Sequence, residues 1–151
     1  MKSTMKKKSL PLVIGLAVLT WLWNEYGTGT LATMAPTPVA SSDGVLEAAF
    51  ENRQSDLQVQ GEGTVVHVLP DDTKGSQHQR FLLELDSGLT LLVAHNIDLA
   101  PRIPNLQKGD RVGFNGEYEW NDKGGVMHWT HHDPRGRHED GWLERSGERF
   151  E

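Results

Sequence analysis

The sequence predicts a mostly-β domain, closed into a small barrel, with one short helix ahead of the strands and an apolar leader ahead of the helix. Three observations lead there. Apolar residues alternate with a period of two through most of residues 61–130. Clusters rich in Gly, Asn and Asp separate these runs. The one long stretch without alternation, residues 96–109, follows the third run.

The composition sets the frame. With 151 residues, 36% hydrophobic and 24% charged, the chain is neither low-complexity, collagen-like nor a polytopic membrane protein. It has no cysteine, which excludes disulfides, thiolate metal sites and cysteine nucleophiles. Residues 1–40 carry a net charge of +3, whereas residues 41–151 hold 11 basic and 20 acidic side chains, a net of −9. An acidic body argues against general nucleic-acid binding, which needs a surplus of Lys and Arg for phosphates.

Lys6-Lys7-Lys8 precedes an apolar run from Leu10 to Trp23. As a helix that run spans roughly 21 Å, short of a hydrocarbon core of about 30 Å. A positive flank, a short apolar run and then small residues describe a secretory signal peptide. Ala32, Ala35 and Ala40 each offer a small residue for cleavage. The alternative is an uncleaved anchor with Trp21, Trp23 and Tyr26 in the membrane interface; the run's length favours cleavage. Residues 1–40 are therefore read as signal peptide or membrane anchor plus linker, and residues 41–151 as the domain. That domain is expected in the periplasm or otherwise outside the cytoplasm, tethered to the inner membrane if the leader stays, with the N-terminal segment as its only membrane contact.

Within the domain, Val45, Leu46, Ala49 and Phe50 share one face of a helix over Val45–Arg53, with Ser42 or Asp43 as cap. Gly61–Leu69 is the first strand and Asp71–Ser76 a turn. Phe81, Leu83 and Leu85 alternate with Arg80, Glu84 and Asp86 in the second strand. Ser87-Gly88 turns into the third, Leu89–His95, where Leu91, Val93 and His95 share a face. Residues 96–109 form a connector with one helical turn. Val112, Phe114, Tyr118 and Trp120 face the core from the fourth strand. Asn121–Gly125 is a hairpin loop, and Val126–Thr130 the fifth strand. Five strands with the long connector after the third match the order of an OB-fold Greek-key barrel, although a meander or small sandwich gives similar periodicity. Trp142 is expected to pack the tail onto the barrel.

In that topology the end of strand one, the start of strand two and the ends of strands three and five reach one rim. Asp71, Asp72, His78, His95, Asn96, Asp98, His128, His131, His132 and Asp133 lie at those places, leaving out only His67 and His138 among the histidines. With Met127 and Trp129 facing inward, His131 joins His95 at the mouth while His128 and His132 point outward. Imidazole and carboxylate groups can ligate a divalent metal, the cofactor this chemistry would take, and such an ion can activate water for hydrolysis. The metal candidates are Asp71, Asp72, His95, His131 and Asp133. The candidates for acid–base chemistry are His78, His95 and His131. Asn96, Trp129, Arg135 and Arg137 are the ligand-binding candidates, the arginines for phosphate or carboxylate. Each has a plainer reading as a surface or hydrogen-bonded residue, and no HExxH, calcium-loop or GxSxG pattern is present. Two functions stay open: a rim that binds a divalent metal or small anionic ligand, with phosphoester hydrolysis as the reaction if it is an enzyme, or a non-catalytic module for a glycan, peptide or protein of the envelope.

The segments Leu69-Pro70-Asp71-Asp72, His78-Gln79-Arg80-Phe81, Ala94–Arg102, Gly116–Asn121 and His128–Pro134 resemble a family of small exported bacterial proteins defined as a domain of unknown function. The resemblance spans roughly residues 57–145 and implies a single exported domain. It brings no activity and no catalytic assignment.

Overall fold

The computed structural model describes residues 42–151, so the leader and its cleavage point lie outside the described residues. The chain forms α1 (Ser42–Glu51), β1 (Leu57–Asp72), β2 (His78–Glu84), β3 (Thr90–Asn96), β4 (Arg111–Glu119), β5 (Val126–His128), β6 (Trp142–Arg145) and β7 (Glu148–Phe150). Five strands close a ring in the order β1-β2-β3-β5-β4 and back to β1. Every pairing is antiparallel except β3 with β5, where Leu92 and Val93 align with Val126 and Met127.

The ring closes because β1 is long enough to serve two neighbours. Its first half, Leu57–Thr64, pairs with β4, and its second, Thr64–Asp72, pairs with β2. The strand passes between them at Gly63, where a Cβ would stand 2.6 Å from the Glu84 carbonyl oxygen. Register shifts at Val65–His67 and Leu69–Asp72 add bulges beyond the crossing. The strand therefore starts four residues before the expected Gly61 and ends three after Leu69. Its polar outward row, Gln58, Gln60 and Glu62, alternates with Leu57, Val59 and Gly61, and the glycines blur the apolar signal.

Inward residues of the strands fill the core. Phe81 and Leu83 from β2, Leu91 and Val93 from β3, Val112, Phe114 and Tyr118 from β4 and Met127 from β5 are fully buried. Ile103 plugs this core from the connector, and the Gln79 side chain both donates to its carbonyl and accepts from its N–H, at 3.0 and 2.9 Å. Turns make up much of residues 97–110, and the expected single helical turn is among them, the Ala100 N–H donating to the Asn96 carbonyl at 3.2 Å. Trp120 is only half buried, its indole N–H donating to the Phe50 carbonyl at the end of α1. Two further strands were not foreseen: β6 pairs with β4 and β7 with β6. In them Leu143 is sealed, while Trp142 stays half exposed under the Arg149 guanidinium, 4.2 Å from the ring centre. The fifth strand stops at His128 because Trp129 adopts φ 52° and leaves the extended conformation.

Gly125, at φ 104°, leaves room for Tyr118: an added Cβ would lie 2.2 Å from its ring, whose hydroxyl donates to the Gly124 carbonyl. Gly136 has φ 58° but open space around it. Gly125→Ala should cost about 3 kcal/mol or more, from overpacking added to left-handed strain, and Gly136→Ala only about 1. Urea-denaturation midpoints of the two variants measure the difference, and equal losses would refute the packing argument.

Candidate functional site

His95 shares the inward row of β3 with Leu91 and Val93 and is fully buried. Its Nε2–H donates to the Pro101 carbonyl at 3.0 Å, and its Nδ1 accepts from the Thr130 hydroxyl at 2.9 Å. A carbonyl can only accept, so these partners assign the neutral Nε2–H tautomer. Burial above all, helped by the nearby His131 and His78, lowers its pKa to about 4 against the pull of the Pro101 hydrogen bond. With both nitrogens engaged, His95 braces the end of β3 to the connector and to the segment after β5, and offers no free atom to a metal.

The expected carboxylate ligands are also occupied. Asp71 pairs with Arg102. Asp72 accepts from the Lys74 N–H at 3.0 Å, which holds its carboxyl below the usual range. Asp133 takes the N–H groups of Arg135, Arg137 and His138 at 2.8–3.0 Å, and its own N–H donates to Asp140. These donors keep the Asp133 carboxyl ionised to lower pH and fold residues 133–138 around it. His132 pairs with Asp140 at 2.8 Å. Among the described residues, the five expected metal ligands do not form one cluster of ligand atoms.

What does meet spans the outward rows of three strands and the strand ends and loops that continue them. His78 and Arg80 on β2, Ala94 and Asn96 on β3, and Val126 and His128 on β5 occupy the rows opposite the core residues. A cavity of about 190 Å³ is lined by His78, Asn96, His128, Trp129 and His131 among others. His78, Ala94 and His128 also line a neighbour of about 400 Å³, which reaches Arg80 and Glu119. Asn96, Leu99 and Trp129 line a third, of about 440 Å³, which reaches Arg135 and Arg137. Because they share lining residues, the three adjoin as sections of a groove. A larger concavity, about 730 Å³ between α1, β1, β4 and β6, contains none of the expected site residues, and its Glu62 and Glu144 are paired with Arg111 and Arg149.

Imidazoles along the groove keep a nitrogen for a ligand. His78 Nδ1–H donates to the Ser76 carbonyl and His131 Nδ1–H to the His132 carbonyl, which fixes both rings and leaves each Nε2 without a hydrogen bond. Among the described residues, neither Arg135 nor Arg137 has a carboxylate within ion-pairing distance. Asp98, beside them, is engaged by the Gln77 N–H at 2.8 Å.

Sequence reasoning missed His138, Glu117 and Glu119. The loop folded by Asp133 stacks the His138 ring on Trp129, with centroids 4.1 Å apart and planes within 6°. Trp129 therefore has one face covered and is not an open stacking platform. His138 donates from Nδ1 to the Glu139 carbonyl and from Nε2 to Glu117 at 2.6 Å, so its ring is an imidazolium. Burial pulls its pKa down, but the Glu117 bond and the surrounding acceptors outweigh that and the net shift is upward. Glu117 and Glu119 were legible as the outward row of β4, but nothing local announces that a loop some twenty residues later returns a histidine to them.

The two histidines give opposite pH dependences. Unfolded His95 titrates near 6.5 and folded His95 near 4, so its contribution to stability is full above 6.5 and is lost as pH falls toward 4. His138, with its pKa raised, contributes fully below 6.5 and loses that contribution as pH rises through the folded value. Between pH 6.5 and about pH 5, denaturation free energies should fall by about 2 kcal/mol more in the parent protein than in His95→Gln. Parallel profiles would show that His95 is not buried neutral.

No curated protein matches the chain. A family model described as protein of unknown function (DUF3465) matches residues 29–151, well over half of the sequence. The chain with this outer-face groove belongs to the DUF3465 family.

Proposed function

We propose that the chain is an exported OB-like barrel that binds an anionic ligand, carrying carboxylate or phosphate groups, along the groove on its outer face. The observation that carries this reading is the pair of exposed arginines, Arg135 and Arg137, which among the described residues have no carboxylate within ion-pairing distance and line one end of the groove. The cyclic strand order and the parallel β3–β5 pairing support the OB-like assignment. In such barrels the faces of the second and third strands and the flanking loops receive extended ligands, as this groove does between His78, Arg80, Ala94 and Asn96. The lysine-flanked apolar leader supports export, which gives an envelope polymer or solute as the natural ligand.

Asp133 makes the charge balance work. Its carboxylate is consumed by three backbone donors, so the loop's negative charge is turned inward while both arginines stay exposed. His78 and His131 add donors or acceptors in the middle of the groove, and Asn96 adds an amide. Hydrolysis has weaker support. Of the three acid–base candidates, His95 has no free nitrogen, and His78 and His131 have no carboxylate hydrogen-bonded to orient them.

Titration calorimetry with an oligogalacturonate and with a linear polyphosphate tests the proposal. One probe should bind saturably, with an affinity that falls as salt rises. Arg135→Ala and Arg137→Ala should each weaken it about tenfold or more, the loss of a charge-assisted hydrogen bond. Failure of both probes, or unchanged affinity in both variants, would overturn the reading.

A further inference from the structure

At the β4 end of the groove the outer rows of two paired strands converge. Glu117 lies directly across from His128 in the ladder, and Glu119 sits one outward position along β4, opposite Val126. His128 Nε2 stands 3.4 Å from Glu117 Oε1 and 3.3 Å from Glu119 Oε2. The ligand atoms of all three residues fall within 4.8 Å of one another. Despite these neighbours, Nε2 is shut off from solvent and makes no hydrogen bond.

We propose that Glu117, Glu119 and His128 form a binding site for a divalent transition metal of the zinc type. Four ligand atoms placed at about 2.0–2.1 Å around a tetrahedral ion stand roughly 3.3 Å from one another. The two nitrogen–oxygen separations have that length, whereas a charged N–H···O bond draws its atoms to about 2.8 Å. The donor set also fits: one imidazole with two carboxylates suits zinc and its neighbours better than magnesium or calcium, which favour oxygen alone.

The surroundings complete the site. The second oxygen of Glu117, Oε2, is held by His138 at 2.6 Å, and His138 is itself fixed by its stack on Trp129 and its bond to the Glu139 carbonyl. A ligating carboxylate oriented in this way is a recurring feature of protein metal centres. Glu119, about half exposed, opens the site to solvent and leaves a coordination position for water or a ligand oxygen. Binding uses the Nε2 lone pair, so the Nδ1–H tautomer of His128 is the ligating form and acid competes with the metal.

The test is calorimetry of the chelator-stripped full-length chain with Zn²⁺ alone. One ion should bind per chain. Glu119→Gln and His128→Asn should each weaken binding at least tenfold, His138→Gln should weaken it less, and His132→Asn, whose ring pairs with Asp140, should leave it unchanged. Circular dichroism guards against misfolding, and Glu119, the most exposed ligand, supplies a variant whose strand signal should match the parent. No saturable binding, or equal binding by the parent, Glu119→Gln and His128→Asn, would overturn the proposal. The anion titrations, run in chelator, stand or fall separately.

Discussion

Residues Leu57–Asp72 must satisfy two neighbours at once, β4 over their first half and β2 over their second. A strand can do this only by bending sharply between them, and at Gly63 it passes so close to Glu84 that no side chain fits. Once the ring is closed, every strand has a row that faces in and a row that faces out, and a shift of one residue would exchange them. Phe81, Val93, Tyr118 and Met127 hold the inward rows in place because each is fully buried. The outward rows of β2, β3, β5 and β4 are then brought side by side, and the groove follows from the same closure that makes the core.

This inside–outside choice decides what each histidine is. His95 falls on an inward row and becomes a neutral brace with both nitrogens used. His128, on an outward row, faces two carboxylates and keeps an unbonded nitrogen. His138 is placed by neither row. It reaches Glu117 through the loop that Asp133 gathers with three N–H acceptor bonds, and there it carries a proton. One residue type thus supplies a structural strut, a candidate ligand and a fixed positive charge. The differences come from burial and partners, not from sequence spacing.

Alternation made the fold largely legible. Phe81/Leu83, Leu91/Val93 and Val112/Phe114/Tyr118 lie on the rows that period-two reading assigns to the core. It also correctly set His128 outward, opposite Met127. It failed where backbone conformation departs from the extended form. Trp129 at φ 52° ends the parity that was carried through to His131, and the register shifts in β1 are invisible in composition. β6 and β7 are three to four residues each and too short to show a period. The site was legible in part for the same reason. His78, Asn96, Trp129 and His131 do line one cavity, because topology alone brings those strand ends together. Asp72 and Asp133 do line the adjoining cavities, but what was not legible is that Asp71, Asp72 and Asp133 are all engaged by partners that only the folded loops supply.

Charge ties the two ends of the groove together. Glu119 and His128 share the cavity that holds His78 and Arg80, and since Glu117 is paired with the His138 imidazolium, it is the Glu119 carboxylate that repels an anion at the β4 end. A divalent cation held by Glu117 and Glu119 would cancel that repulsion and present a positive centre with an open position. Binding free energies are reciprocal, so whatever the ion adds to anion affinity the anion returns to the ion. For a domain with a net charge of −9 over residues 41–151, such coupling would add a second local positive centre to an acidic molecule. An extended ligand with acidic groups at both ends would therefore meet complementary charge at each, whereas a single small anion would engage only one.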